Sequence, residues 1–353
     1  MKTIHIETLL FIFFLAFICN IATIAQEINL TKKQVSFREL TVKQGLSQNS
    51  VVSIAQDSTG FMWFATQDGL NKYDGKDFTH YDRQFEDITR SSFSKLGKIY
   101  VDRDGKLWII PNTGILEKYD VANDTFSQAL DIQKASVLYQ NNNKDYYLGT
   151  YGNGLYKINP ERQDTIQLLK PNHLSISSYD IIEWQGAIIV STSEGLLQLK
   201  NDAYTFIEKS RFKNIAFSAL SNDKMNTLYA GSFGNGLFIK SSNDSTFSKF
   251  TGFGNNSFPE KLNIQDLLVD KQQRLWVATY GNGTYLINFE QKLIQHFTAN
   301  KSDPYALHYN DVLCLFEDFT ETIWLGTDGA GLSFYDMHLV KFNVLTNNQT
   351  PPK

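Results

Sequence analysis

Short apolar runs alternate with clusters of polar turn residues along almost the whole chain. After an opening GLSQNS, the stretch 45–82 reads VVSIAQ, DSTG, FMWFAT, QDG, LNKY, DGKD and FTHYD. β-Branched and aromatic residues fill the apolar runs, Asp and Gly stand between them, and no helical period of 3.6 residues is present. The pattern predicts four short strands joined by tight turns, with Asp opening and Gly closing the DSTG turn.

The four-strand pattern occurs seven times. Each copy has a glycine before its third strand, at intervals of 40 to 48 residues, and a large residue lies six or seven positions earlier. The glycines are Gly69, Gly114, Gly154, Gly195, Gly236, Gly283 and Gly331, and the large residues are Trp63, Trp108, Tyr147, Ile189, Tyr229, Trp276 and Trp324. Repeats of this length predict an all-β fold, a seven-bladed β-propeller of four-stranded antiparallel blades.

The repeat spacing also gives the expected blade limits within a propeller of residues 35–345. The blades are about 45–82, 92–127, 135–168, 178–208, 214–250, 262–297 and 309–336. We expect each large residue to pack between blades, and the small residue that follows two positions later to leave room for the neighbour. These small residues include Ala65, Gly149, Gly231, Ala278 and Gly326.

Gly-Asn-Gly stands before the third strand in three copies. A nucleotide-binding loop would need a third glycine and a following helix, and the sequence has neither. The motif is therefore interpreted as a hairpin turn, because Gly and Asn tolerate positive φ.

The stretch GLSQNSVVSIAQDSTGFMWFATQDGLNKYDG resembles the repeat of the two-component-regulator propellers. The resemblance runs from about Val35 to the C-terminus and is weakest in the fourth copy, which lacks the tryptophan. It implies a periplasmic sensor region of a hybrid two-component system of gut Bacteroidetes. Such proteins carry a second propeller, a β-sandwich, a membrane helix and cytoplasmic kinase, receiver and DNA-binding parts, and they respond to glycan breakdown products.

Both ends of the chain carry signals of their own. The apolar run 9–19, followed by small residues, predicts a secretory signal peptide of residues 1–25, and an uncleaved signal anchor is the alternative. Only Cys314 then remains, so no intrachain disulfide forms, and its apolar neighbours predict a buried, inert thiol.

The seventh blade lacks a fourth strand, which either 35–40 or 340–345 can supply. Because the family uses the first, residues 340–353 are expected to begin a second, missing propeller; a complete single propeller is the alternative.

Composition and motifs limit the chemistry. The formal charge of −4 does not favour nucleic acid, and the six histidines show no metal-ligand spacing. The sequence DRDG lacks the remaining ligands of a calcium loop, no Gly-x-Ser-x-Gly elbow is present, and Glu317 with Asp318 is interpreted as a solvated turn. We expect no cofactor, no metal and no catalytic residue in this chain.

In a propeller, the loops between the second and third strands and the connections between blades share one face. Aromatic, amide and acidic residues recur there, and they suit a sugar ligand without negative charge. The candidate ligand-binding residues are Tyr151, Asn153, Phe233, Asn235, Tyr280, Asn282, Asp68, Glu194 and Asp328. The long connections 171–178 and 252–261 lie on the same face. The alternative is that each aromatic residue only covers the turn of a neighbouring blade.

These observations favour a non-catalytic periplasmic sensor propeller for an oligosaccharide that controls a glycan-utilisation response. Its partners are implied by the resemblance: a second propeller, membrane-linked kinase parts and, as a further option, a homodimer. A secreted propeller enzyme acting on polysaccharide and a protein-binding scaffold are the alternatives.

Overall fold

The computed structural model describes residues 35–85 and 97–337, and the propeller is the compact unit Phe37–Met337. In these residues, seven four-stranded antiparallel sheets follow one another, which confirms the predicted seven-bladed propeller. The strands of each blade are called a to d in chain order, with the fourth strand of blade 7 taken from the N-terminal end. Strand a of each blade contacts strand a of both neighbours, so the seven a strands surround a central channel. The predicted signal peptide and the segment 340–353 lie outside the described residues.

The strands are short, as the turn spacing predicted. The first is β1 (Arg38–Leu40), and blades 1 to 3 contain β2 (Val51–Gln56), β3 (Met62–Thr66), β4 (Gly69–Tyr73), β5 (Phe78–Tyr81), β6 (Lys98–Val101), β7 (Leu107–Ile110), β8 (Glu117–Asp120), β9 (Thr125–Gln128), β10 (Ala135–Gln140), β11 (Tyr146–Thr150), β12 (Leu155–Asn159) and β13 (Asp164–Gln167). Blades 4 and 5 contain β14 (Ser178–Trp184), β15 (Ala187–Thr192), β16 (Gly195–Lys200), β17 (Ala203–Ile207), β18 (Phe217–Asn222), β19 (Leu228–Ser232), β20 (Gly236–Lys240) and β21 (Ser248–Lys249). A small hairpin follows, with β22 (Gly252–Phe253) and β23 (Asn256–Ser257), and blades 6 and 7 contain β24 (Ile264–Val269), β25 (Leu275–Thr279), β26 (Thr284–Asn288), β27 (Leu293–Phe297), β28 (Val312–Glu317), β29 (Ile323–Thr327) and β30 (Leu332–Tyr335).

Helical structure in the described residues is confined to single turns. The α-helix α1 (Lys209–Phe212) connects blades 4 and 5, and 3-10 turns occupy Val42–Gln44 and Pro171–His173.

The N-terminal strand closes the ring. Strand β1 pairs antiparallel with β30 and is the outermost strand of blade 7, with Arg38 opposite Phe334 and Leu40 opposite Leu332. Gly331 adjoins this seam with a φ of 74°, and a Cβ there would lie 2.5 Å from the carbonyl oxygen of Leu40. The seam therefore needs glycine for two reasons, its left-handed backbone and the close approach of β1.

Aromatic side chains fill the space between neighbouring blades, as predicted for the tryptophan positions. Trp63 meets Tyr119 of blade 2 with ring centroids 5.0 Å apart, and Trp324 meets Phe64 of blade 1 at 5.5 Å. The small residue two positions later leaves the predicted room, since a Cβ on Gly231 would lie 2.5 Å from Ile264 of blade 6. The large residues thus fill the space between blades, and the small residue two positions later leaves room for the neighbouring strand.

The Gly-Asn-Gly motifs are turns, as predicted, but the asparagine is not the residue with positive φ. In blade 3 the φ angles of Gly152 and Gly154 are 71° and 95°, and the equivalent glycines of blades 5 and 6 have the same sign. The hydroxyl of Thr150, at the end of strand b, donates a 2.6 Å hydrogen bond to the carbonyl of Gly154. This bond explains why Thr or Ser stands before the turn in six of the copies.

The turn between strands a and b is built around a buried aspartate, which corrects the interpretation of Glu317 and Asp318 as a solvated turn. Asp318 is 6% exposed, and its Oδ2 accepts a 2.8 Å hydrogen bond from the indole of Trp324. Its Oδ1 accepts the backbone N–H of Thr320 and Thr322. Both carboxylate oxygens are therefore satisfied inside the blade, so this aspartate stabilises the hairpin and does not face water.

Candidate functional site

The two faces of the propeller carry different connections. We call the loop face the one with the b–c turns and the connections between blades, and the turn face the one with the a–b and c–d turns. On the loop face, one residue per blade donates its backbone N–H to a carbonyl at or near the entry to strand a, over 2.8–3.3 Å. These seven equivalent residues surround the channel mouth: Gln67, Asn112, Tyr151, Ser193, Phe233, Tyr280 and Asp328. Four of the predicted site residues are among them.

At the channel mouth, two of the predicted aromatic residues, Tyr151 and Phe233, lie next to the same third aromatic residue, which the sequence did not single out. Tyr179, on strand a of blade 4, lies 5.4 Å from Phe233 and 6.3 Å from Tyr151, measured between ring centroids. We call these three residues the aromatic collar. All three are half-buried, and burial raises the pKa of Tyr151 and of Tyr179, so both phenols stay neutral.

The third predicted aromatic residue lies elsewhere on the mouth. Tyr280 of blade 6 packs against the apolar cluster that includes Val52 of blade 1 and Leu313 of blade 7. The collar on blades 3 to 5 and Tyr280 therefore occupy different arcs of the ring.

The predicted amides make weak local contacts. The Nδ2 atoms of Asn235 and Asn282 lie 3.5 Å from the carbonyl oxygen two residues earlier, and Nδ2 of Asn153 donates to the Gln133 carbonyl over 3.3 Å. Asn282 is exposed, and the other two are half-buried. Hydrogen bonds of this length are weak, so the three amides can exchange them for bonds to a ligand.

The three predicted carboxylates do not form one cluster. Asp68 and Glu194 are exposed on the b–c turns of blades 1 and 4, three blades apart. Asp328 accepts a 2.9 Å hydrogen bond from the Ser50 hydroxyl and adjoins Asp311. Burial, followed by the charge of Asp328, raises the pKa of Asp311. Two carboxylates of the loop face, Asp311 and Asp328, thus lie together at blade 7.

The channel wall contains charged residues that the sequence did not reveal. Each strand a has one residue opposite the small-residue position of strand b, and these residues are equivalent in the seven blades. They are Ser53, Lys98, Val137, Asp180, Ala219, Asp266 and Cys314. The charged members therefore come from blades 2, 4 and 6. Asp180 accepts the backbone N–H of Leu220 in the next blade over 2.8 Å, and Asp266 does the same with Leu315.

Burial raises the pKa of both channel carboxyls, to about 6 for Asp180, while the positive charge of Lys98 opposes the rise. The two carboxyls thus bind neighbouring blades together, and Lys98 compensates part of their charge. Cys314 is buried, as predicted, and its thiol donates a weak 3.6 Å hydrogen bond to the Val51 carbonyl of blade 1. Burial raises its pKa well above the usual range, which keeps the thiol protonated.

Over 35–85 and 97–337, no three His, Cys, Asp or Glu side chains are grouped closely enough to hold a metal ion. No helix in these residues has the length and apolar character of a membrane span.

Fold and site together define a seven-bladed repeat propeller whose candidate ligand surface is the loop face. Comparison with known sequences identifies the repeat. Residues 45–68 and 257–281 match the two component regulator propeller family. Two segments of this chain, one in blade 1 and one leading into and through the first half of blade 6, thus match the family that the resemblance indicated. Histidine kinase P4 of Formosa agariphila is 48% identical over 56 residues, which are 16% of this chain and 4% of that protein.

Solved structures share the fold. The extracellular domain of a hybrid two component system of B. thetaiotaomicron aligns with a TM-score of 0.70 at 22% identity, over 86% of this chain and 42% of that one. The chain thus spans about two fifths of that domain. An inactive variant of virginiamycin B lyase from Staphylococcus aureus, with quinupristin, aligns with a TM-score of 0.65 at 13% identity, over 86% of this chain and 99% of the lyase. An extracellular domain of a two component system and a lyase thus share this architecture.

Proposed function

We propose that this chain is a ligand-sensing propeller of a hybrid two-component regulator, and that it works in the periplasm. The observation that carries the proposal is the presence of two-component regulator propeller repeats in a fold like that of an extracellular sensor domain. Membrane-linked kinase parts, a second propeller and a second copy of the chain are the partners through which binding would act.

The ligand we propose is an oligosaccharide without negative charge. Aromatic rings of the loop face supply flat apolar surfaces for the C–H patches of a sugar, and amides with weak local bonds supply partners for its hydroxyls. Asp68, Glu194, Asp311 and Asp328 give the same face an acidic character. Sulfated and uronate sugars would meet repulsion there, while neutral or amino sugars would not.

The proposed role is binding without turnover. A propeller enzyme would need an acid or base facing its substrate, and the channel carboxyls, whose pKa burial raises, are candidates among the described residues. Both are held by backbone N–H groups of a neighbouring blade. Their hydrogen bonds favour a structural role in joining blades.

Native mass spectrometry of the protein with short oligosaccharides tests this function, because one spectrum reports both the bound ligand and any product. We expect an intact neutral oligosaccharide retained on the protein after long incubation. Shortened or unsaturated sugars would instead establish an enzyme. Retention of no sugar by the folded protein would overturn the oligosaccharide proposal.

A further inference from the structure

A second feature of the loop face is a pocket of about 610 Å³ between blades 6 and 7. The connection 298–311 forms nearly all of its wall, and Gly281 of the blade 6 turn completes it. Two predicted site residues, Tyr280 and Asn282, flank this glycine along the chain. The pocket therefore belongs to the surface that the repeats place around the channel mouth.

Backbone hydrogen bonds from three neighbouring segments hold this connection in place. Gly283 of blade 6 donates its N–H to the Asn310 carbonyl over 2.8 Å, and Asp328 of blade 7 donates to the Asp311 carbonyl over 2.9 Å. Phe37, just before the closing strand β1, donates to the Tyr305 carbonyl over 2.8 Å. A ligand would thus meet a preformed pocket and would not have to order a loop.

The histidine of the connection is part of the same framework. His308 Nδ1 lies 3.0 Å from the Ser333 hydroxyl of β30, and its Nε2 lies 3.9 Å from a carboxylate oxygen of Glu39 on β1. The pocket wall is therefore fixed to both strands of the closing seam.

The lining combines an apolar floor with polar walls. Leu307 is 1% exposed and forms the floor, while Tyr309 is 40% exposed at the rim. A Cβ on Gly329 would lie 3.7 Å from the Tyr309 ring, so this phenol lies against the blade 7 turn with its other side open. An exposed ring beside hydrogen-bonding groups is the arrangement that binds a sugar ring by its apolar face.

The charges of the lining define the kind of sugar. The lining contains two carboxylates, Asp303 and Asp311, and one lysine, Lys301. Asp328 adds a further negative charge beside Asp311. Each carboxylate already accepts one backbone N–H, Asp303 from Tyr305 and Asp311 from Gly281. A carboxylate can accept further hydrogen bonds, so Asp311, which is held against the Gly281 wall of the pocket, can still accept a ligand hydroxyl.

We propose that this pocket binds one ring of a neutral sugar, with Tyr309 against the apolar face of the ring and Asp311 accepting a hydroxyl. The inference rests on the proposed function, and it names the place and the ligand class. Uronate rings are excluded because their carboxylate would approach Asp311 and Asp328.

Calorimetric titration of the protein and its variants tests the proposal, with neutral gluco-, manno-, galacto- and xylo-oligosaccharides and with oligo-uronates as probes. Tyr309→Ala and Asp311→Asn alter the pocket. Tyr305→Ala is the matched control, since this tyrosine is equally exposed at 38%, lies in the same connection and is absent from the lining. Asp77→Asn, on the turn face, controls for the loss of one charge.

We expect a neutral oligosaccharide to bind the unaltered protein, and Tyr309→Ala to weaken binding about tenfold, the change expected when an aromatic contact and its buried area are lost. Asp311→Asn is expected to weaken it in the same direction, and both controls to leave it unchanged. Asp311→Asn preserves side-chain size, so it keeps the test informative if Tyr309→Ala does not fold.

Equal binding of a neutral oligosaccharide by all variants would show that this pocket is not the binding site, and it would not contradict the proposed sensor function. Binding of oligo-uronates alone would overturn the neutral ligand class. Binding of no sugar by the folded protein would overturn the proposed function together with the pocket.

Discussion

The carboxylate of Asp270 accepts a 2.9 Å hydrogen bond from the indole Nε1 of Trp276, and both residues are at most 1% exposed. The same Asp–Trp pair, six residues apart, recurs in blades 1, 2 and 7, and in blade 5 the hydroxyl of Tyr229 replaces the indole. This hydrogen bond joins a large side chain between blades to the a–b turn, which precedes strand b. The tryptophan of this repeat is thus both a packing residue and a hydrogen-bond donor.

Trp276→Phe is expected to lower the free energy of unfolding by about 1–2 kcal/mol, since the buried Asp270 carboxylate loses the indole donor while the Arg274 guanidinium stays on the same oxygen. Trp63→Phe is the matched control because it removes the same atoms, while its acceptor Asp57 is only half-buried and water can replace the indole. Denaturant unfolding of both variants measures the difference. An equal loss in the two variants would mean that ring volume alone explains the tryptophan.

Alanine substitutions at two glycines of similar φ test how closely strand β1 approaches Gly331 at the closing seam. Gly186→Ala introduces a Cβ into open space at a φ of 71°, so it should cost about 1–2 kcal/mol for the left-handed backbone alone. Gly331→Ala has nearly the same φ but places its Cβ against the carbonyl of Leu40, which should add about 1–3 kcal/mol.

Unfolding experiments on this pair separate backbone strain from contact with strand β1. Hydrogen exchange within Arg38–Leu40 should also be faster in Gly331→Ala than in Gly186→Ala. Equal stability of the two variants would show that β1 does not approach Gly331 closely.

The buried carboxyl of Asp180 in the channel makes the free energy of unfolding depend on pH. The pKa of Asp180 is about 6 in the folded state against an ordinary value of 3.8, so the folded state holds this proton more tightly than the unfolded state. Its contribution to stability is present at low pH and is lost as the pH rises from about 4 to about 6. Asp180→Asn removes this dependence, so the variant should gain up to about 3 kcal/mol relative to the unaltered protein across that range.

Unfolding of both proteins at a series of pH values between these limits measures the effect. Asp74→Asn is a control of opposite sign, because backbone N–H groups of Asp77 and Lys76 lower the pKa of the exposed Asp74 carboxyl. A difference between Asp180→Asn and the unaltered protein that does not change with pH would contradict the assigned surroundings of Asp180.

The blade count could be predicted because each turn requires particular residues. Gly154, Gly236 and Gly283 have positive φ where most residues are strained, so their spacing marks the turns of the fold. The channel could not be predicted in this way. Lys98, Asp180 and Asp266 become equivalent only through strand pairing, and β-bulges shift the register at Asp180 and Asp266.

Part of the candidate site could be predicted because some of its residues belong to the repeat. Tyr151 and Phe233 belong to the repeat, and their position follows from it, whereas Tyr179 lies on an inner strand where most blades have another residue type. Tyr309 and Asp311 lie in a connection between blades, where the repeat does not determine the residue types, and Phe37, a distant residue in the sequence, helps to fix its shape. The length of 298–311, with two tyrosines and a histidine, was the available signal.

Hydrogen–deuterium exchange of the whole chain, with and without each oligosaccharide at saturation, tests the central claim most directly. The account predicts that a neutral oligosaccharide protects amides of the loop face, above all 281–283 and 299–311, while the strands of the ring exchange as before. Protection on the turn face, a large change within the blades, or no protection by any sugar would contradict the claim that the loop face of a rigid propeller is the sensing surface.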